Sequence, residues 1–221
     1  MQKNYGQLLP IKKKPLGIIS CYKLNYTQQN LIYMKKMSPA NIGFELMDRV
    51  NKCLGILSLS RTFTNLLMWS HYANNHTGFV IGFDDSHEFF YQETYQGLSS
   101  RPNNVNYTSQ RSMTCVGDHD YYEKLLCEKS IDWAYEEEVR IFRLFTDETK
   151  IAGVDPAGHP VFLVNLPKDA LKSIYLGAHT DESLRRKIFA AINKNGLKVE
   201  LYDMRMSKLR YELEWLSVVQ D

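Results

Sequence analysis

The stretch GILSLSRTFTNLLMWSHYANNHTGFVIGFD, Gly55 to Asp84, contains the patterns that decide the fold class. Its first part, ILSLS, alternates apolar and polar residues, which is typical of a strand with one polar face. Its last part, FVIGF, predicts a second and more apolar strand. Between them, Thr64 or Asn65 can cap a helix that runs to about Asn75, where NNHTG predicts a turn. A strand, a short helix and another strand therefore follow one another closely.

The rest of the chain continues this mixture. DYYEKLLCEKSIDW is helical in pattern from Tyr121, and AYEEEVRIFRLF predicts a strand entered from an acidic turn. TDESLRRKIFAAINKNG predicts the clearest helix, with Thr180 as its N-terminal cap and Gly196 as its stop. The predicted fold class is α+β, with a central mixed or antiparallel sheet flanked by short helices. We expect a single domain over residues 18–221, after an irregular lead-in over residues 1–17.

The composition indicates which binding partners and which cellular location to expect. The 221 residues include 27 Lys and Arg against 25 Asp and Glu, a balance that does not by itself indicate a nucleic-acid or membrane surface. No signal segment or membrane-spanning apolar run is present, so we expect a cytoplasmic protein with no membrane partner. The cysteines form no CxxC pair, and we expect reduced thiols and no bound metal; they are Cys21, Cys53, Cys115 and Cys127.

The acidic block EEEVR is the first candidate site. If Glu136 and Glu138 lie on a strand, both side chains project to one face, and Arg140 continues that face. Two carboxylates beside a guanidinium could orient a ribose and stabilise an oxocarbenium-like centre, while Arg140 holds a phosphate. The alternative is an exposed acidic turn closed by an ordinary surface salt bridge.

The helix within the opening stretch is the second candidate. Trp69, His71 and Tyr72 lie within one helical turn and cannot all face the same way. We expect Trp69 and Tyr72 to be buried anchors, so that Ser70 and His71 face a pocket. The alternative for His71 is a structural histidine between helix and strand.

Two further elements complete the candidate set. Ser58 and Ser60 can present hydroxyl groups to a ligand, although serines on any exposed strand face would look the same. Lys129 can pair with Glu136 or reach a phosphate.

Two blocks taken together carry a family resemblance. MWSHYA, Met68 to Ala73, and WAYEEEVR, Trp133 to Arg140, resemble a widespread and mostly bacterial family called domain of unknown function 2971 (DUF2971), over roughly Leu57 to Trp215. The order of a Ser-x-Ser strand, a helix, an apolar strand and a late Glu-x-Glu is also similar in layout to mono-ADP-ribosyltransferase folds. In those folds the Ser-x-Ser strand supports a nicotinamide pocket and a late glutamate is catalytic. The resemblance implies NAD as a substrate.

Three hypotheses follow. The first is an NAD-using transferase or glycohydrolase with nucleic acid as one acceptor; its catalytic candidates are Glu138, Glu136 and His71, and its ligand-binding candidates are Ser58, Ser60, Tyr72, Lys129 and Arg140. The second is a nucleotide-binding or regulatory module of a defence or toxin system, favoured because the family's N-terminal Tyr-Lys-Tyr and Asn-Asp-Pro segments are missing here. The third is metal-dependent phosphodiester cleavage by Asp84, Asp85, Glu136 and Glu138.

Overall fold

A computed structural model describes residues 54–91, 101–113, 121–145, 149–156 and 158–218. The chain divides into two units, and nearly all described residues belong to the one formed by Leu54–Leu144 and Lys150–Asp221. The lead-in predicted over residues 1–17 lies outside the described residues. The single domain predicted over residues 18–221 stays a prediction.

Within the described residues, the chain forms eleven strands and three α-helices. The strands are β1 Leu54–Ser60, β2 Phe79–Phe83, β3 Asn103–Asn104, β4 Asn106–Thr108, β5 Glu128–Ser130, β6 Glu138–Leu144, β7 Lys150–Val154, β8 Pro160–Leu163, β9 Leu171–Leu176, β10 Glu200–Met206 and β11 Leu213–Ser217. The α-helices are α1 Leu66–Tyr72, α2 Tyr121–Leu126 and α3 Glu182–Asn195, and the 3₁₀ helices are Glu88–Phe90, Ile131–Glu136 and Lys168–Ala170.

One sheet has three strands in the order β1-β6-β3. β1 and β6 are antiparallel, and their register sets Ser60 opposite Glu138 and Ser58 opposite Arg140. Because facing residues of paired strands project to the same side, the Ser-x-Ser segment lies beside the start of the acidic strand. Two small two-stranded sheets, β4-β5 and β7-β8, accompany it.

The second large sheet has the order β11-β10-β9-β2. β9 and β10 are parallel, and α3 makes the crossover between them. The helix packs its apolar stripe on the sheet in a cluster of buried residues, which are Ile174, Leu176, Ile188, Ile192 and Leu201. Its cap is Asp181, whose carboxylate accepts from Leu184 N, so the prediction of Thr180 was wrong by one residue. Thr180 instead bonds the Gly78 carbonyl at 3.0 Å.

Helix α1 is anchored by Trp69, which is 1% exposed and packs with Ala73, Met204 and Leu213. Asn65 caps the helix by accepting from Leu67 N at 2.9 Å, as one of the two predicted caps. The helix is shorter than predicted and ends at Tyr72. The next turn cannot continue it, since three residues have a positive φ: Asn74, Asn75 and His76.

The burial prediction for Tyr72 was wrong, because its side chain is 62% exposed while Trp69 alone anchors the helix. The physical reason lies in the partner elements. The core beneath α1 comes from β10 and β11 on the Trp69 side, whereas the Tyr72 side faces the 3₁₀ helix Ile131–Glu136.

The α+β class is confirmed, with helices beside mixed and antiparallel sheets. The strands are shared among sheets of three, four, two and two strands. Among the described helices, none has the length and apolar character needed to cross a membrane.

Candidate functional site

The two candidate glutamates reach the site by different routes. Glu136 ends the 3₁₀ helix, Glu137 adopts a left-handed conformation with φ of 46°, and Glu138 begins β6. The condition set for the one-face arrangement, that both acids lie on one strand, is therefore not met, because only Glu138 lies on it. The left-handed residue reverses the local backbone instead, and both side chains are still turned inward, with Glu136 3% and Glu138 7% exposed.

Lys129, on β5, joins the two carboxylates. Its ammonium donates to Glu136 Oε2 and lies 3.2 Å from Glu138 Oε2. It also lies 5.0 Å from the centre of the Trp133 ring, where a cation is attracted to the aromatic face. Burial lowers the pKa of Lys129, but the two carboxylates outweigh that effect and raise it overall. The predicted pairing of Lys129 with Glu136 is present.

Arg140 holds Glu138 with two hydrogen bonds. Its Nε donates to Oε1 at 2.8 Å and its Nη2 to Oε2 at 3.1 Å, while Nη1 donates to the Leu126 carbonyl. Burial raises the pKa of Glu138, but bonds from Arg140, Ser58 and Lys129 outweigh it and bring the pKa to about 2. Glu138 is therefore a carboxylate, not a carboxylic acid, at neutral pH.

The two predicted serines have different contacts. The Ser58 hydroxyl lies near enough to the Glu138 carboxyl group to lower its pKa. The Ser60 hydroxyl lies 2.7 Å from the Glu136 carbonyl and 2.9 Å from the Thr62 carbonyl, so it braces the backbone of the acidic turn. Ser58 is close to the candidate chemistry, and Ser60 supports it through the main chain.

Tyr72 connects the helix to the acidic turn. Its hydroxyl donates to Glu136 Oε1 at 2.7 Å, and that bond, more than any other cause, raises the pKa of the phenol. Helix α1 and the glutamates, far apart along the chain, are thereby in contact.

Four rings lie close together beside this contact, three of them exposed and that of Tyr135 half-buried. We call this group the aromatic surface: His71, Tyr72, Trp133 and Tyr135. The His71 ring centre lies 6.2 Å from that of Tyr72, 6.4 Å from that of Trp133 and 6.3 Å from that of Tyr135. The Trp133 and Tyr135 centres are 6.0 Å apart. His71 is exposed among these rings. The predicted orientation of Ser70 and His71 toward a pocket required a buried Tyr72, and Tyr72 is exposed, so that orientation stays a prediction.

Two site residues were missed by sequence reasoning. The Tyr107 hydroxyl accepts from the Glu138 backbone N–H at 2.7 Å, and so fixes the first residue of β6. No sequence signal identifies Tyr107, since β4 is three residues long within a polar stretch. Tyr135 lies inside the WAYEEEVR block, and its spacing of two from Trp133 was the available signal.

An open depression of about 400 Å³ begins at Tyr72 and extends between the turn at Asn74 and the start of α3 at Asp181 and Leu184. Neither candidate glutamate lines it. A ligand in the depression would therefore contact Tyr72 and not the two carboxylates.

The metal hypothesis gains no support from the described part of the chain. There, no group of three or more His, Cys, Asp and Glu side chains is placed to hold a metal ion. Asp84 accepts from the Ser86 hydroxyl at 2.6 Å, and the two glutamates are bound to Lys129 and Arg140.

The structure thus brings all eight predicted site residues into one neighbourhood, and their catalytic and ligand-binding roles stay predictions. No curated protein and no solved structure matches the chain. A family model matches a narrower span than the predicted Leu57 to Trp215, and that span includes both quoted blocks in full. The predicted resemblance is confirmed by that match: residues 68–141 correspond to the family described as Protein of unknown function (DUF2971).

Proposed function

We propose that this chain binds a nucleotide-type ligand, with NAD as the leading candidate, on the aromatic surface. The observation that carries the proposal is the packing of three rings around His71 at centre-to-centre distances of 6.2 to 6.4 Å, with the Tyr72 ring 62% exposed. Flat heteroaromatic rings stack on such surfaces, and each stacked base contributes about 1–3 kcal/mol.

The acidic turn supports an enzymatic version of this function, in which the chain turns over NAD as a transferase or glycohydrolase. The Ser-x-Ser strand β1 pairs with β6, where Glu138 lies opposite Ser60, and this neighbourhood is similar to the layout of ADP-ribosyltransferase folds. With a pKa of about 2, Glu138 suits the stabilisation of an oxocarbenium-like centre and not proton donation. Glu136 would orient the ribose, and water or a nucleic acid would be the acceptor.

The test is incubation with NAD labelled in the adenylate part, following nicotinamide release and label transfer to nucleic acid or lysate proteins. Glu138→Gln should lower turnover by at least about 100-fold, since it removes the fixed negative charge at the reacting centre. Glu137→Gln is the matched control, because Glu137 is the exposed neighbour in the same turn. Absence of release and transfer by the unmodified chain would contradict the enzymatic form.

A second candidate is a binding module that holds the nucleotide without turnover. It is favoured by the engagement of both carboxylates: Glu136 is bonded to Tyr72 and Lys129, and both oxygens of Glu138 are bonded to Arg140. Neither is free to act on a ligand in this arrangement.

Thermal unfolding in the presence of nucleotides tests the binding common to both candidates. A ligand at 100 times its Kd should stabilise the chain by about 2.7 kcal/mol. NAD binding without turnover would identify the module, while no shift with NAD or any other nucleotide would contradict both forms.

A further inference from the structure

Lys129 controls access to the two carboxylates. Its side chain is 25% exposed, whereas those of Glu136 and Glu138 are 4% and 7% exposed, and its ammonium contacts both. A ligand approaching from the aromatic surface therefore meets the ammonium first. The carboxylates become available to it only if the ammonium moves away.

The surroundings of the ammonium are those of a cation site. Trp133 offers its ring at 5.0 Å, and Tyr135 and Tyr72 stand beside it around His71. The negative faces of Trp and Tyr rings attract organic cations, at about 0.5–1 kcal/mol when exposed and about 2 when water is excluded. A carboxylate pair behind aromatic rings adds charge to that attraction.

The net charge around the site also favours a cation. Residues 128–140 carry five carboxylates against the cations of Lys129 and Arg140, a net charge of −3. The five are Glu128, Asp132, Glu136, Glu137 and Glu138. This local excess of negative charge attracts the cationic part of a ligand.

We infer that the ligand presents a flat organic cation to this site and displaces the Lys129 ammonium from the carboxylates. The inference rests on the proposed nucleotide binding and names the part of the ligand that is recognised; in NAD, the positively charged nicotinamide ring has this chemistry. Lys129 is then a competitor for the cation position and not the phosphate ligand that sequence reasoning allowed. Removal of the Lys129 ammonium should therefore strengthen the binding of a cationic ligand.

The experiment compares 1-methylnicotinamide, a permanent cation, with neutral nicotinamide, which has the same ring. Binding is followed by tryptophan fluorescence in a Trp215→Phe background, because Trp69 is buried and Trp133 then reports the site. Lys129→Met should bind the cation about tenfold more tightly and leave the neutral ring unchanged. Lys172→Met, at an exposed lysine of β9, is the matched control and should leave both unchanged.

A double variant guards against loss of folding. Lys129→Met with Glu136→Gln removes a carboxylate together with the ammonium, so it should fold and lose the gain in cation binding. The inference is overturned if Lys129→Met binds the cation no more tightly than the unmodified chain, or if the neutral ring gains equally. Failure of the proposed function looks different: NAD then binds to no variant, whatever 1-methylnicotinamide does.

Discussion

Two parts of the same unit are stabilised by different interactions. The four-stranded sheet and α3 meet through aliphatic side chains, among them Leu176 at 0% exposure. The three-stranded sheet begins at a turn that buries Glu136 and Glu138 against Lys129 and Arg140. Burial of hydrocarbon is favourable at any pH, whereas buried charges stabilise only while each has its partner. The first region therefore maintains the fold, and the second depends on ionisation state and on ligands.

The largest expected effect comes from breaking the ionic region with Arg140→Met. Within the described residues, Glu138 then keeps the Lys129 ammonium as its charged partner, and an incompletely paired buried carboxylate is costly. We expect the free energy of unfolding to fall by about 3–5 kcal/mol in urea denaturation.

The control for that variant is Arg140→Met with Glu138→Leu, which removes both charges. Most of the lost stability should return, because apolar pairs of similar volume often replace buried ion pairs without loss. A loss under about 1 kcal/mol for Arg140→Met alone would show that the ionic region contributes little.

The apolar region is tested by Leu176→Ala. Removing a fully enclosed leucine side chain should cost about 3 kcal/mol, and the same amount at pH 5 and pH 8, because no charge is involved. Leu209→Ala, at a position 92% exposed, should change the free energy of unfolding by no more than about 0.5 kcal/mol. A pH-dependent loss for Leu176→Ala would remove the distinction between the two regions.

The same contrast explains what the sequence predicted. For α3, the apolar stripe and the stop at Gly196 depend on neighbouring residues alone, and the prediction missed only the cap, by one residue. Both Thr180 and Asp181 can cap a helix, and the choice is made by the carbonyl of Gly78, a tertiary partner that local pattern does not reveal.

For the site, residue identity was predictable and geometry was not. Strand periodicity placed Glu136 and Glu138 on one face, yet they converge through the left-handed Glu137 and through Lys129. Tyr72 was expected in the core because a helical wheel shows which residues share a face and not which face meets the core. The Tyr107 contact depends on a three-residue strand that carries no periodicity.

Acid should weaken the ionic region. The pKa of Glu138 is about 2 in the folded chain against an ordinary 4.5, so its ionisation contributes stability that is present above about pH 4.5 and lost as the pH falls toward 2. The contribution is no more than about 3 kcal/mol.

Urea denaturation between pH 2 and 7 measures this loss. The difference in free energy of unfolding between the unmodified chain and Glu138→Gln should shrink as the pH falls from 4.5 to 2. The difference between the unmodified chain and Leu176→Ala should stay constant. A difference between the Glu138→Gln and unmodified chains that stays constant from pH 7 to 2 would contradict the assignment of the low pKa to Glu138.

The smallest effect concerns the bond that joins helix α1 to the acidic turn. Tyr72→Phe removes the hydroxyl that donates to Glu136 Oε1 at 2.7 Å while keeping the exposed ring. We expect the free energy of unfolding to fall by about 1 kcal/mol. The buried Glu136 oxygen loses its donor, and water replaces that hydrogen bond only in part. A double-mutant cycle with Glu136→Met isolates the pair, because methionine leaves no oxygen to accept from Tyr72. Tyr211→Phe, at a position 100% exposed, should have no effect. A coupling energy near zero would mean that the Tyr72 hydroxyl does not bind Glu136 in solution. Helix α1 would then be held only by its apolar contacts around Trp69.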